Sequence, residues 1–166
     1  MLLTVDNVNK VLVGVIRAGA EVDNVIVETR NRARPPAGEY ATIYWKSIQP
    51  LNTYRADSTH SETETEYYEH RINSALCTVQ LSVFGDTALE KCIALNNFLN
   101  SENRLFDIDT LLGISSIGEV VDISTSLNGQ VQPRASFDFS FYCEFGKEYT
   151  MDFFVIDNTS VYFITK

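Results

Sequence analysis

Five large apolar side chains, Phe137, Phe139, Phe141, Cys143 and Phe145, alternate with Asp138, Ser140, Tyr142 and Glu144. A period of two is the spacing of a β-strand, whose successive side chains leave opposite faces. A helix would spread the same five groups around its circumference, so the pattern requires a strand. Its aromatic face in turn requires a cover, because one face of a sheet must be buried against a second layer. The chain therefore has to contain a half-covered sheet, and the rest of the sequence must supply both its neighbours and its lid.

Neighbouring strands are legible in several places. Residues 39–49 place Ala41, Ile43 and Trp45 on one face and Tyr40, Thr42 and Tyr44 on the other, and Pro50 is expected to end the strand. Residues 67–84 alternate through Cys77, Val79, Leu81 and Val83. Ile72 and Leu76 fall on the opposite parity, which a bulge near Ser74 would reconcile. Residues 117–127 and 134–145 read as a hairpin around Asn128-Gly129, with residues 130–133 lengthening its loop. Gly146-Lys147 reads as a turn, and residues 151–156 and 161–164 as closing strands.

Two segments have helical periodicity instead. The opening segment repeats Val5, Val8, Leu12, Val15 and Ile16, with Thr4 or Asp6 as cap and Gly19 as stop. Residues 87–99 begin with Thr87 and Glu90 at capping-box spacing, Asp86 competing as N-cap. Ala88, Cys92, Leu95 and Leu99 form the apolar stripe, joined by Leu89 and Ile93. The order of elements predicts an α+β fold, a largely antiparallel sheet with two main helices packed on one face. At 166 residues it forms a single domain over residues 1–166, with an exposed loop at about 52–66 or the tip of an extended hairpin there.

Charge and composition narrow the function. The net charge is −9, so sequence-specific binding to a phosphate backbone is disfavoured, although an acidic wall would let a duplex slide past. Cys77, Cys92 and Cys143 lie among apolar neighbours without metal-ligand spacing and read as reduced core residues of a cytoplasmic protein. No apolar run reaches the roughly 20 residues of a membrane span, and a signal-peptide pattern is not expected.

Chemistry-bearing motifs are absent: the phosphate-cradling, dinucleotide, nucleophile-elbow and zinc-protease patterns do not occur. His60, Glu62, Glu64 and Glu66 share one parity, yet read as a solvated acidic row rather than a metal site. Asp86 reads as a helix cap, and Asp107 and Asp109 as turn residues, not as acid–base pairs. Arg30, Arg32 and Arg34 are the basic concentration, in a connector made irregular by Pro35, Pro36 and Gly38. Guanidinium groups suit bidentate pairing with carboxylates, and the acidic segment at 57–66 offers them on a neighbouring copy. No enzyme, cofactor or metal is expected.

Three stretches together resemble the phage neck terminator and tail-terminator-like proteins. These are the connector and strand from Arg34-Pro35-Pro36 to Tyr40-Ala41-Thr42-Ile43, the strand and junction from Thr78-Val79-Gln80 to Phe84-Gly85-Asp86-Thr87-Ala88, and Val121-Asp122-Ile123-Ser124 followed by Arg134-Ala135-Ser136-Phe137-Asp138-Phe139. The resemblance implies a non-enzymatic virion protein of a tailed phage, assembled in the host cytoplasm. It implies a homo-oligomeric ring, commonly of six copies, that caps the tail tube and joins it to the head-side connector. DNA passes through such a ring without sequence-specific binding. Arg32, Arg34, Tyr40 and Trp45 are the candidate subunit contacts, with Glu62 and Glu64 facing a neighbour or the lumen. The alternatives are another tail or head-completion component, such as a tube or minor capsid protein, and a soluble non-catalytic binding module.

Overall fold

The computed structural model describes residues 4–28, 36–60, 66–101, 112–127, 130–155 and 161–165; for 52–60, 66–71, 127, 130, 147–155 and 161–165 this covers the backbone alone. In chain order the elements begin with α1 (Val5–Ala20), β1 (Val25–Val27), β2 (Tyr40–His60), β3 (Glu66–Phe84) and α2 (Ala88–Asn100). There follow β4 (Gly113–Ile117), β5 (Val121–Asp122), β6 (Thr125–Leu127), β7 (Gln130–Gln132), β8 (Arg134–Val155) and β9 (Val161–Thr165).

β2, β3 and β8 lie side by side and antiparallel, and they form the frame of the sheet. β3 and β8 stay in register from Phe84↔Arg134 to Glu66↔Asp152 without a break. β1 adds to β2 in parallel, pairing Val25 with Ala41 and Val27 with Ile43. The other edge of β8 is taken in turn by β5, β4 and β9, all antiparallel. β6 and β7 make a separate two-stranded sheet.

The parity read from the sequence decides which face is covered. Ala41 and Ile43 of β2, Cys77, Val79, Leu81 and Val83 of β3, and Phe137, Phe139 and Phe141 of β8 are all buried on one face. Val8, Leu12, Val15 and Ile16 of α1 and Ala88, Cys92, Leu95 and Leu99 of α2 complete that core. The fold is thus α+β with both helices on one face of a mainly antiparallel sheet, as expected. The three cysteines are free and buried in it. Burial alone pushes the Cys92 thiol up to about 12, which keeps it a neutral packing group.

Several local expectations are corrected. Thr4 does cap α1, accepting from the Asn7 N–H at 3.3 Å, but Gly19 does not stop the helix. Glu21 does, in the left-handed region at φ 51°. Gly19 instead marks the crossing of the helices: a Cβ there would stand 2.8 Å from Leu95 Cδ1. The Thr87 hydroxyl makes no cap bond to α2, because it donates to Glu39 Oε1 at 2.5 Å. Leu89 and Ile93 are not in the buried stripe; they face outward, 43% and 44% exposed. Pro50 does not end β2. A register irregularity between Pro50 and Tyr54 absorbs it, and another lies between Trp45 and Ser47. The irregularity expected near Ser74 falls opposite it, with the extra residues on β2 between Pro50 and Tyr54, while β3 itself stays in register with β8 and its Leu76 is half-buried on the helix-free side.

The C-terminal half is also simpler and longer than its pattern suggested. β8 runs straight through Gly146 and Lys147, which pair with Ile72 and Arg71, so one glycine in a strand is no turn here. The expected pairing of 117–127 with 134–145 is present in pieces, Ile117 opposite Phe139 and Val121–Asp122 opposite Ser136–Ala135, while Thr125–Leu127 pairs with Gln130–Gln132. Asn128 and Gly129 lie outside the described residues.

Candidate subunit-contact surface

The face of the sheet without helices is built from the other parity of the same strands. Its first row is Tyr40, Phe84 and Arg134, adjacent across β2, β3 and β8. The Tyr40 and Phe84 rings stack at 4.5 Å, 7° from parallel. The Arg134 guanidinium lies over Phe84, 4.7 Å from its centroid, and donates from Nη2 to Ser82 Oγ at 3.2 Å. Burial holds the Tyr40 phenol above its ordinary pKa, against the pull of the Arg134 charge.

Behind that row lies a floor of small hydroxyl residues, Thr42, Ser82 and Ser136, each buried. Thr42 Oγ1 and Arg134 Nε have no hydrogen-bond partner among the described residues. Further along come Tyr44, Gln80 and Asp138, then Ser47, Thr78 and Ser140, where Thr78 and Ser140 share a 3.0 Å hydrogen bond. Lys46 pairs with Asp138 at 2.7 Å on the exposed surface. Tyr44 and Tyr142 are roughly half exposed on the same side.

One polar cluster ties the layers together. Glu39, just before β2, accepts from Lys91 Nζ and from Thr87 Oγ1, each at 2.5 Å, and so pins the start of α2 to the sheet. The lysine, and then the hydroxyl, hold the Glu39 carboxyl below its usual range. Asp122 is likewise lowered by the hydroxyl and N–H of Ser124, whose Oγ accepts the Arg134 N–H at 3.1 Å. Two open clefts border this region. One of about 330 Å³ is lined by Gly38, Tyr40, Phe84 and Pro133, and one of about 410 Å³ by Gln80, Val121 and Asp138 among others.

The structure separates the residues that the sequence grouped. Tyr40 is 7% exposed, its ring committed to Phe84 on the helix-free face. Trp45 sits on the helix side, donating from Nε1 to Asn9 Oδ1 of α1 at 2.8 Å and meeting Phe141 edge-on at 6.1 Å. Arg32, Arg34, Glu62 and Glu64 lie outside the described residues, as do Arg30, Asp107 and Asp109. Sequence reasoning missed Arg134, Lys46 and Glu39. Only Arg134 carried a readable signal, a cation opening an aromatic strand directly after Pro133.

Among the described residues no group of three or more His, Cys, Asp or Glu is placed to hold a metal ion. No helix of the described residues is long and apolar enough to cross a membrane. What the surface offers is stacking, hydrogen bonding and charge pairing.

No curated protein matches the chain. The family model described as phage neck terminator protein matches residues 5–164, nearly the whole chain, and the protein belongs to that family.

Proposed function

We propose that this phage head–tail structural protein works as a closed ring of six copies at the neck, capping the tail tube and meeting the head-side connector. The family match over residues 5–164 carries this reading. Its task is geometric: the ring fixes where the tail ends and leaves a passage for DNA. A net charge of −9 per copy supports passage over capture, since an acidic wall repels phosphate. Assembly takes place in the host cytoplasm.

Arg32, Arg34, Tyr40 and Trp45 remain the proposed subunit contacts, with Glu62 and Glu64 facing a neighbour or the lumen. Because the Tyr40 ring is buried, its part is to hold the start of β2 against Phe84. The first experiment is the mass in solution by light scattering across a concentration series. A discrete species of six copies is expected. Open filaments would point to a tube protein, and a monomer at every concentration would overturn the ring.

A further inference from the structure

Strand length and helix length do not match in this fold. β8 has 22 residues and β2 has 21, which at about 3.3 Å per residue is about 70 Å of extended chain. α1 has 16 residues and α2 has 13, about 24 Å and 20 Å at 1.5 Å per residue. Laid along the strands, either helix covers about a third of them. The core fades where this arithmetic says it must. On the helix side Ala75 and Cys143 are the last buried positions among those whose side chains are described, and Ile48, opposite Cys77, is already 45% exposed.

Beyond that point the sheet continues as a ribbon in which positions 54–60 of β2, 67–73 of β3 and 145–151 of β8 stay paired. Among the described residues no buried core position lies on this ribbon, and a ribbon without a covering layer buries little apolar surface to offset the cost of ordering it. Its lateral edges are open as well. Among the described residues, the outer edge of β2 has a partner only at 41–43. On β8, β4 reaches Tyr142 and β9 begins at Met151, which among the described residues leaves 143–150 as a gap of eight positions.

Pro50 and both register irregularities fall between positions 45 and 54, whereas 54–60 runs in unbroken register without proline or glycine, with Arg55 and Asp57 as its charged residues. The two open edges also stand at one height. Tyr54 is level with Phe145 through Asn73, and His60 with Met151 through Tyr67.

We propose that positions 54–60 of β2 in one copy fill the gap at 143–150 of β8 in the next, so that one sheet continues around the ring. Both strands are antiparallel to β3, so copies pointing the same way join in parallel. The joined edges are different segments, which makes the contact head-to-tail, the class that propagates until it closes. Equal height means that joining requires no step along the ribbon, the condition for closing instead of climbing into a filament. The partner is a second copy because one chain supplies both a gap of eight positions among its described residues and, at 54–59, an unbroken run level with 145–150 inside it. This inference rests on the ring reading and names its contact.

The test is a cysteine pair, Ser58→Cys with Tyr149→Cys. Within one copy these positions are two strands apart, level through Glu69. That separation is about 10 Å, beyond the roughly 7 Å that a disulfide spans between Cα atoms. Oxidation should therefore give a covalent ladder up to the ring mass on non-reducing denaturing gels, while each single variant stops at a dimer or below. Ala56→Cys with Lys147→Cys, level through Arg71, guards against one pair failing to fold. If both pairs give no ladder while light scattering still reports the ring, the edge pairing is overturned and the ring stands. A monomer at every concentration overturns both.

Discussion

Replacing Gly85 with alanine should destabilise the fold far more than its one added methyl suggests. Gly85 links the end of β3 to α2 at φ +123°, a conformation that L side chains rarely adopt. Holding a non-glycine residue there costs about 1–3 kcal/mol. The new Cβ would also stand 2.5 Å from Glu39 Cγ and 3.2 Å from Glu39 Cα. The side chain cannot simply swing aside, because Lys91 and Thr87 hold its carboxylate. The backbone cannot retreat without moving the start of β2, and such overpacking adds about 1–3 kcal/mol. The sum, about 2–6 kcal/mol, corresponds to a fall in Tm of roughly 4–24 °C for a chain of this size. Gly38→Ala is the control: φ is +89°, but nothing lies within 4 Å of the added Cβ, so it carries the conformational cost alone. Both variants are compared by circular dichroism melts at one fixed protein concentration, since assembly shifts Tm by mass action. Equal melting temperatures for the two variants would refute the claim that Glu39 and the sheet behind it leave Gly85 no room.

Phe139→Ala removes a fully buried ring packed 5.2 Å from Phe141. It should cost about 3–5 kcal/mol by urea unfolding, and a loss under 1 kcal/mol would contradict its central place. Ile93→Gln should change stability by no more than about 0.5 kcal/mol, because the side chain faces outward; a core-sized loss would return it to the buried stripe. Glu39 has a folded pKa lowered from 4.5 by Lys91 first and Thr87 second. Its stabilising effect is therefore present above the ordinary carboxylate range and is lost as pH falls through the lowered value. Glu39→Gln should accordingly lose less Tm than the natural protein between pH 6 and pH 3, and identical acid slopes would show the cluster to be inert.

The central architecture was legible because burial on a two-residue period leaves its record in residue type. Phe137, Phe139 and Phe141, with Val79 and Leu81 opposite, could occupy only the covered face. What escaped was the length of the strands. Pro50, Asp57 and Gly146 carry turn-like local preferences, yet cross-strand pairing overrode each of them. Leu89 and Ile93 were misassigned because the apolar pattern on α2 covers more of its circumference than the sheet can bury. The contact residues were harder still. Arg134 becomes a stacked, partly unsatisfied cation only when Phe84 and Ser82 arrive from a strand about fifty positions away in sequence.

Edge pairing and face covering make different demands on the same amides, which separates them without any substitution. In an edge strand alternate residues direct their N–H groups inward to the neighbour, and the others direct them outward. Along positions 54–60 of β2 the inward set is already bonded to β3 in a single copy. A strand added at the outer edge should slow hydrogen exchange in the outward set alone, giving protection that alternates along the run. A partner lying across the face would exclude water from both sets alike and leave no alternation. Amide exchange read residue by residue across a dilution series should therefore show the alternating protection growing with the fraction of ring, while amides at 77–83 of β3 stay protected throughout. Uniform protection of 54–60, or outward amides that exchange equally fast in ring and monomer, would remove this edge from the interface.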